Sequence, residues 1–179
     1  MKVSFRAVEK KDLAALRSWR NQDRIRKICR DDRLIDSMAS QRRWFKKISS
    51  SGRNDMFLVI FKKRPVGVCG LTKIDYKNGA AEISYHLGVK TNPALDVAIG
   101  LEVYEFLKAK GFVEYDLNRL WGEAFSFNEG GVRLGIAAGF KKEGTLRESV
   151  FRNGEYWDSV LLGMLKSEYY KQLRRRTAW

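Results

Sequence analysis

The chain has 179 residues, 44% hydrophobic and 12% aromatic, which suffices for one packed domain over residues 1–179 and argues against global disorder. A formal net charge of +14 favours acidic partners through its long-range field. No apolar run approaches the ~20 residues of a membrane helix. The start Met1–Phe5 alternates and lacks the charged and apolar regions of a signal peptide, so neither a signal peptide nor membrane insertion is expected and the cytoplasm is the default location.

In chain order, Val3–Ala7 alternates as a first strand. Leu13, Leu16 and Trp19 mark the packing face of a helix over Leu13–Arg20, and a second helical stretch covers Gln22–Cys29. A third helix is expected from Ser40, as N-cap, to Ile48, with Trp44, Phe45 and Ile48 facing inward. Ser49–Asn54 is a polar break. Met56–Phe61 and Val66–Leu71 form a hairpin with Pro65 at its turn end, and Asn78-Gly79 turns the chain into a strand over Ala81–Val89.

The period then changes. Ile99, Val103, Phe106 and Leu107 recur at helical spacing in Val97–Lys110, and Gly111 is read as its stop. Leu120–Ala124 is a strand, and Asn128 opens a short helix that ends near Gly139. Phe140–Glu143 and Leu146–Phe151 are extended, Asn153-Gly154 is a hairpin turn, Tyr156–Leu165 is the last strand, and a charged tail follows. The order implies one α/β domain with a mixed, mostly antiparallel sheet flanked by helices.

Cys29 and Cys69, with one histidine, have no zinc spacing, and no metal site is expected. The basic residues are spread from Lys10–Lys11 to Arg174–Arg176; the charge admits nucleic acid as a partner, but the spread does not favour it. Lys90–Gly100 joins a strand to a helix start, whose unpaired N–H groups can hold phosphate or can simply connect two elements.

Glu82, Ser84 and His86 share one strand face by period two, with Ile83, Tyr85 and Leu87 on the other. An acceptor amine must lose a proton before attack, and Glu82 or His86 can take it; an ion pair or a structural hydrogen bond is the alternative for each. Arg20 can clamp a phosphate or carboxylate, and Asn21 can bind substrate or cap its helix. Trp44 can form a ligand wall or pack inward. Glu123, among Trp121, Phe125 and Phe127, can orient an amine or sit at an exposed edge. Asn128 is an N-cap or a contact to a cofactor amide.

With these segments the chain resembles the GCN5-related N-acetyltransferases (GNAT) over nearly its whole length. Arg20-Asn21, Gly67–Ile74, Leu87–Leu95, Asn128–Phe140 and Gly154–Asp158 look most like the nucleotide-sugar enzymes of pseudaminic acid biosynthesis. The resemblance implies acetyl-CoA as cofactor and direct attack of an amine on its thioester. Leu87, Gly88 and Val89 would then pair with pantetheine. Val97, Ala98, Ile99 and Gly100 would cradle phosphate, with Asn128 and Arg133 as further cofactor contacts. It also implies a UDP- or dTDP-amino-sugar acceptor, which the charge suits, and a homodimer. A ribosomal-protein, peptide or small-amine acceptor is the alternative, as is a non-catalytic basic domain. Two departures stand out. The phosphate-loop signature is degraded at Leu95, Ala98 and Gly100. Gly135 stands where many relatives have a tyrosine that protonates the leaving thiolate, and Tyr85 and Tyr104 are the other tyrosines considered.

Overall fold

The computed structural model describes residues 2–177. Its elements are β1 (Val3–Ala7), a 3-10 turn (Lys10–Asp12), α1 (Leu13–Arg20), α2 (Asp23–Arg26), α3 (Met38–Ser50), β2 (Asp55–Phe61), β3 (Arg64–Asp75), β4 (Ala80–Leu87) and α4 (Pro93–Ala109). After a π turn (Lys110–Glu114) come β5 (Arg119–Phe125), α5 (Glu129–Ala137), β6 (Lys141–Arg152), β7 (Glu155–Leu165) and α6 (Lys166–Thr177). The strands are hydrogen-bonded in the order β1-β2-β3-β4-β5-β7-β6. The β4–β5 ladder is parallel, whereas β1–β2, β2–β3, β5–β7 and β6–β7 are antiparallel. The α/β fold with a mixed, mostly antiparallel sheet is the one the periodicities imply. No described helix is long and apolar enough to cross a membrane.

The chain forms two compact units, and β3, β4 and α4 run through both. The first comprises the residues up to Thr72 with Ser84–Val103. Its core is the expected face of α1, Leu13, Leu16 and Trp19, packed with Ile25, Leu58 and Val68. Each such side chain taken fully out of water contributes about 1.5–3 kcal/mol. The second comprises Lys73–Ile83 and the chain from Tyr104 onward. Phe112, Leu117, Leu120, Phe140, Leu162 and Met164 are buried there, and Tyr169 of α6 stacks on Phe112 at 5.2 Å.

Several boundaries differ from expectation. Helix α3 starts at Met38 because Ser37, not Ser40, is the N-cap, its hydroxyl accepting from the Ser40 N–H at 3.2 Å. Its inner face is Gln41, Phe45 and Ile48, while Trp44 is 38% exposed. The β2–β3 turn is Lys62-Lys63, both at positive φ as a two-residue hairpin turn requires, so Pro65 lies within β3, opposite Ile60. Gly111 does not end the helix: the chain continues through the π turn, and a Cβ at 111 would meet Leu120 Cδ2 at 2.8 Å. The two extended pieces after Phe140 are one strand, β6, with shifted registers, and the charged tail is a helix.

Candidate active site

In the first unit the end of β4 is tied down by the helical region after α1. The Gly88 and Val89 N–H groups both donate to Val66 O, at 2.8 and 2.9 Å. Arg24 donates to Leu87 O at 3.0 Å and Gly88 O at 2.8 Å, and Gln22 donates to Gly88 O at 3.1 Å. The expectation that Leu87–Val89 pair with pantetheine is therefore corrected at Gly88 and Val89, whose donors are engaged within the protein. Arg24 and Gln22, absent from the expected site, hold this segment. Their pattern carries no sequence signal, because the partners are main-chain carbonyls more than 60 residues away.

Asn21 is also committed: its side chain donates to Ile35 O at 3.0 Å and accepts from Ile35 N–H at 2.8 Å, pinning the loop before α3. The amide expected to bind substrate thus serves the fold at this position. Arg20 donates through Nη2 to Asp31 O, while its Nη1 is buried without a partner. His86 Nε2 is buried and unpartnered as well. Burial first, then the Arg20 and Arg24 guanidiniums, push the His86 imidazole down to about 4. At neutral pH the imidazole expected as a base is therefore uncharged, and it holds a proton less tightly than an ordinary histidine. Trp44, exposed on α3, does not form a closed ligand wall.

The helix start expected at Val97 lies four residues earlier, at Pro93. Val97–Gly100 are consequently inside α4, with Ile99 fully buried and Gly100 buried. Two first-turn amides, those of Leu95 and Asp96, are met from within the chain. Asn92 Oδ1 accepts from Leu95 N–H at 2.9 Å, and Asn92 O from Asp96 N–H at 2.9 Å. Asp96 accepts from the Thr91 hydroxyl at 2.6 Å, which sets a carboxylate beside the helix start. Val97, Ala98, Ile99 and Gly100, expected to cradle phosphate, therefore lie past the first turn of α4 rather than at its open end.

In the second unit Glu82 lies on β4 in register with Trp121 of β5. Its side chain is 18% exposed, and Lys73 Nζ is 2.8 Å from its Oε2. The same ammonium is 5.1 Å from the Trp121 ring centroid. The parallel ladder has register pairs from Ala80↔Arg119 to Glu82↔Trp121, while β4 runs on to Leu87 and β5 to Phe125. Beyond the last pair, a Cβ at Gly122 would have only Ile83 O near it, at 3.8 Å. Glu123 is partly buried, opposite Leu161 of β7.

Asn128 is the N-cap of α5, its Oδ1 accepting from Gly131 N–H at 3.3 Å. Arg133 is exposed and paired with Glu129 at 3.0 Å, one helical turn away. Gly135 is buried, and a side chain there would meet Leu162 Cδ1 at 2.6 Å. The Tyr104 hydroxyl, from α4, lies 3.5 Å from the point such a Cβ would occupy. Tyr104 thus brings a hydroxyl beside the position the sequence leaves bare, and burial pushes it up to about 12.

Residues 5–161 match the family described as the acetyltransferase (GNAT) domain. The uncharacterized N-acetyltransferase p20 of Bacillus licheniformis is 32% identical over 124 residues, 68% of either chain. The spermidine N-acetyltransferase of Vibrio cholerae in complex with CoA and spermine is similar in structure, with a TM-score of 0.85 at 22% identity, covering 94% of this chain and 98% of that one. A dodecameric structure of spermidine N-acetyltransferase from Vibrio cholerae has a TM-score of 0.79 at 22% identity, covering 93% and 95%.

These findings correct two expectations. The two solved structures named above are spermidine N-acetyltransferases, not nucleotide-sugar enzymes, and one of them is dodecameric, so neither the UDP- or dTDP-amino sugar nor the homodimer is retained. The physical reason is that the segments quoted for the sugar branch build the fold. A Cβ at Gly67 would meet His86 O at 2.6 Å, and one at Gly88 would meet the Trp19 ring at 2.0 Å. Such glycines are required by packing whatever the acceptor is. The chain belongs to the GNAT family of acetyltransferases, and it is an N-acetyltransferase that draws its acetyl group from acetyl-CoA.

Proposed function

We propose that the protein N-acetylates a small primary amine, with polyamines the first acceptors to test. The observation that carries this reading is Glu82, a largely buried carboxylate in mid-strand that already holds an ammonium at 2.8 Å. A group so placed binds an amine and receives the proton it must shed before attack. The polyamine acetyltransferases of similar fold support the acceptor class.

The residues present suit part of the cofactor. The strand edge at Ile83 and Gly122, just past the last β4–β5 pair, fits an extended amide chain such as pantetheine, because Gly122 leaves its surroundings open. When bound, acetyl-CoA supplies an acetyl group activated as a thioester. Tyr104, whose hydroxyl lies beside Gly135, would be the group to hydrogen-bond the departing sulfur. Raised to about 12, that hydroxyl is a weaker acid than a thiol of ordinary pKa about 8.5, so it donates a hydrogen bond and keeps its proton. At the start of α4 Asn92 already serves the Leu95 and Asp96 amides, and the Asp96 carboxylate beside them disfavours a phosphate.

The net charge of +14 repels a polycation at long range, so polyamine turnover is expected to increase as added salt screens that field. The test is CoA thiol release with spermidine, spermine, putrescine, simple monoamines and peptides, for wild type and Glu82→Gln. Turnover of amines that is lost in the variant supports the reading. Turnover confined to peptides, or none with any amine, overturns it.

A further inference from the structure

We propose that Lys73 is an internal occupant of the acceptor's ammonium subsite, made by the Glu82 carboxylate and the Trp121 indole, and that the incoming amine displaces it. The inference rests on the reading of Glu82 as the residue that meets the acceptor. Three observations carry it.

The first is the pair of walls. Glu82 and Trp121 are register partners on neighbouring parallel strands, so a carboxylate and an aromatic ring stand side by side on a rigid ladder. A carboxylate with an aromatic face is a minimal receptor for an alkylammonium: one wall supplies a charge-assisted hydrogen bond and the other the ring quadrupole. The second is that this receptor is filled, by a primary ammonium of the same chemistry as the acceptor. Lys73 Nζ is 2.8 Å from Glu82 Oε2 and 5.1 Å from the Trp121 centroid.

The third is the contrast between walls and occupant. The Glu82 side chain is 18% exposed and that of Lys73 is 65% exposed. The carboxylate is fixed in the sheet, whereas the ammonium rides on a flexible four-carbon stem that can release it into water. Lys73 is itself set up unusually. Its φ is 50° within β3, a left-handed conformation that lysine seldom adopts and that re-aims a strand side chain as a bulge does.

The exchange keeps the charge balanced, because one ammonium leaves Glu82 as another arrives, and the largely buried carboxylate is never without a counter-ion. It also makes Lys73 a determinant of specificity. A neutral acceptor cannot compete for the subsite, and every cationic acceptor binds more weakly by the fraction of time Lys73 is in place. If Lys73 occupies the subsite nine-tenths of the time, removing it tightens ammonium binding about tenfold.

The experiment follows the Trp121 indole N–H in nitrogen-15 correlation spectra, assigned by its loss in Trp121→Phe, during titration with ethylammonium chloride at constant ionic strength. Lys73→Ala is expected to show a saturable shift with a midpoint at least about fivefold below that of wild type. Lys73→Arg, which keeps a cation on a long stem, stays near wild type, and Lys73→Ala with Glu82→Gln loses saturation. Unchanged peaks elsewhere confirm that each variant is folded. Equal midpoints in wild type and Lys73→Ala, or no saturable shift in Lys73→Ala, overturn the inference. The acceptor reading fails separately: no CoA release with any amine from a protein whose Lys73→Ala variant binds ethylammonium overturns acetylation at this subsite and leaves the receptor standing.

Discussion

Replacing Gly88 with alanine is expected to destabilise the protein by about 1–3 kcal/mol, although it adds one methyl group. The new Cβ would stand 2.0 Å from Trp19 Cδ2, 2.1 Å from Cγ and 2.5 Å from Cε2. Carbon atoms in contact rest about 3.5–4.0 Å apart, so ring or backbone must give way by about 1.5 Å. The backbone resists, because Gly88 donates to Val66 O at 2.8 Å and its carbonyl accepts from Gln22 at 3.1 Å and Arg24 at 2.8 Å. The ring is packed against Leu13, Leu16, Ile25, Leu58 and Val68 and is 8% exposed.

Squeezing a methyl into such a site costs about 1–3 kcal/mol. Expelling the indole instead forfeits roughly 150–250 Å² of burial, about 4–6 kcal/mol at ~25 cal/mol per Å². The relaxed protein takes the cheaper mixture of the two. Urea unfolding followed by far-ultraviolet circular dichroism should show a lower midpoint with an unchanged slope. In a Trp19→Leu background the clash is absent, and Gly88→Ala should then cost less than about 0.5 kcal/mol. A cost below about 0.5 kcal/mol in the wild-type background, or equal costs in both, would refute the reasoning.

The depressed His86 pKa has a definite sign in stability. Between pH 6.5 and about 4 the unfolded chain binds a proton that the folded chain refuses, so this stability is whole above pH 6.5 and is lost as pH falls towards 4. The slope reaches up to about 1.4 kcal/mol per pH unit, and urea midpoints measured across this window should flatten in His86→Gln; parallel curves would disprove the assignment. For Tyr104, removing one hydrogen bond to a developing thiolate is worth about 1.5–3 kcal/mol. Tyr104→Phe should therefore lower kcat by roughly ten- to a hundredfold with little change in amine KM or in unfolding midpoint. A kcat within twofold of wild type would place the hydroxyl outside the reaction.

Much of the fold was legible because local patterning and tertiary burial agree. The face Leu13, Leu16 and Trp19, the alternation in β1 and β4, and the turns at Asn78-Gly79 and Asn153-Gly154 each arise from short-range chemistry. Where the reading failed, a distant partner intervened. Gly111 reads as a stop until Leu120 is seen against it. Val97 reads as a helix start because Asn92 and Asp96 cannot be recognised as a cap from spacing alone. Asn21 gives no sign in the sequence of its paired bonds to the Ile35 backbone.

The candidate site divides along the same line. Sequence singled out Glu82 as a carboxylate on a central strand, and it raised the bare position at Gly135 and the tyrosine at 104. Only the tertiary structure joined Glu82 to Lys73 and Trp121, since these three residues come from three strands and meet through a parallel ladder whose register no local pattern encodes. Likewise only the fold set the Tyr104 hydroxyl beside Gly135 and walled His86 in with two guanidiniums. By itself the sequence determined which elements form and which residue types are available for amine chemistry, because helix and strand periods are properties of neighbouring residues. Which side chains face one another, and which amides and ammonium groups are already taken, was decided by long-range packing, because those partners lie up to 66 residues apart along the chain.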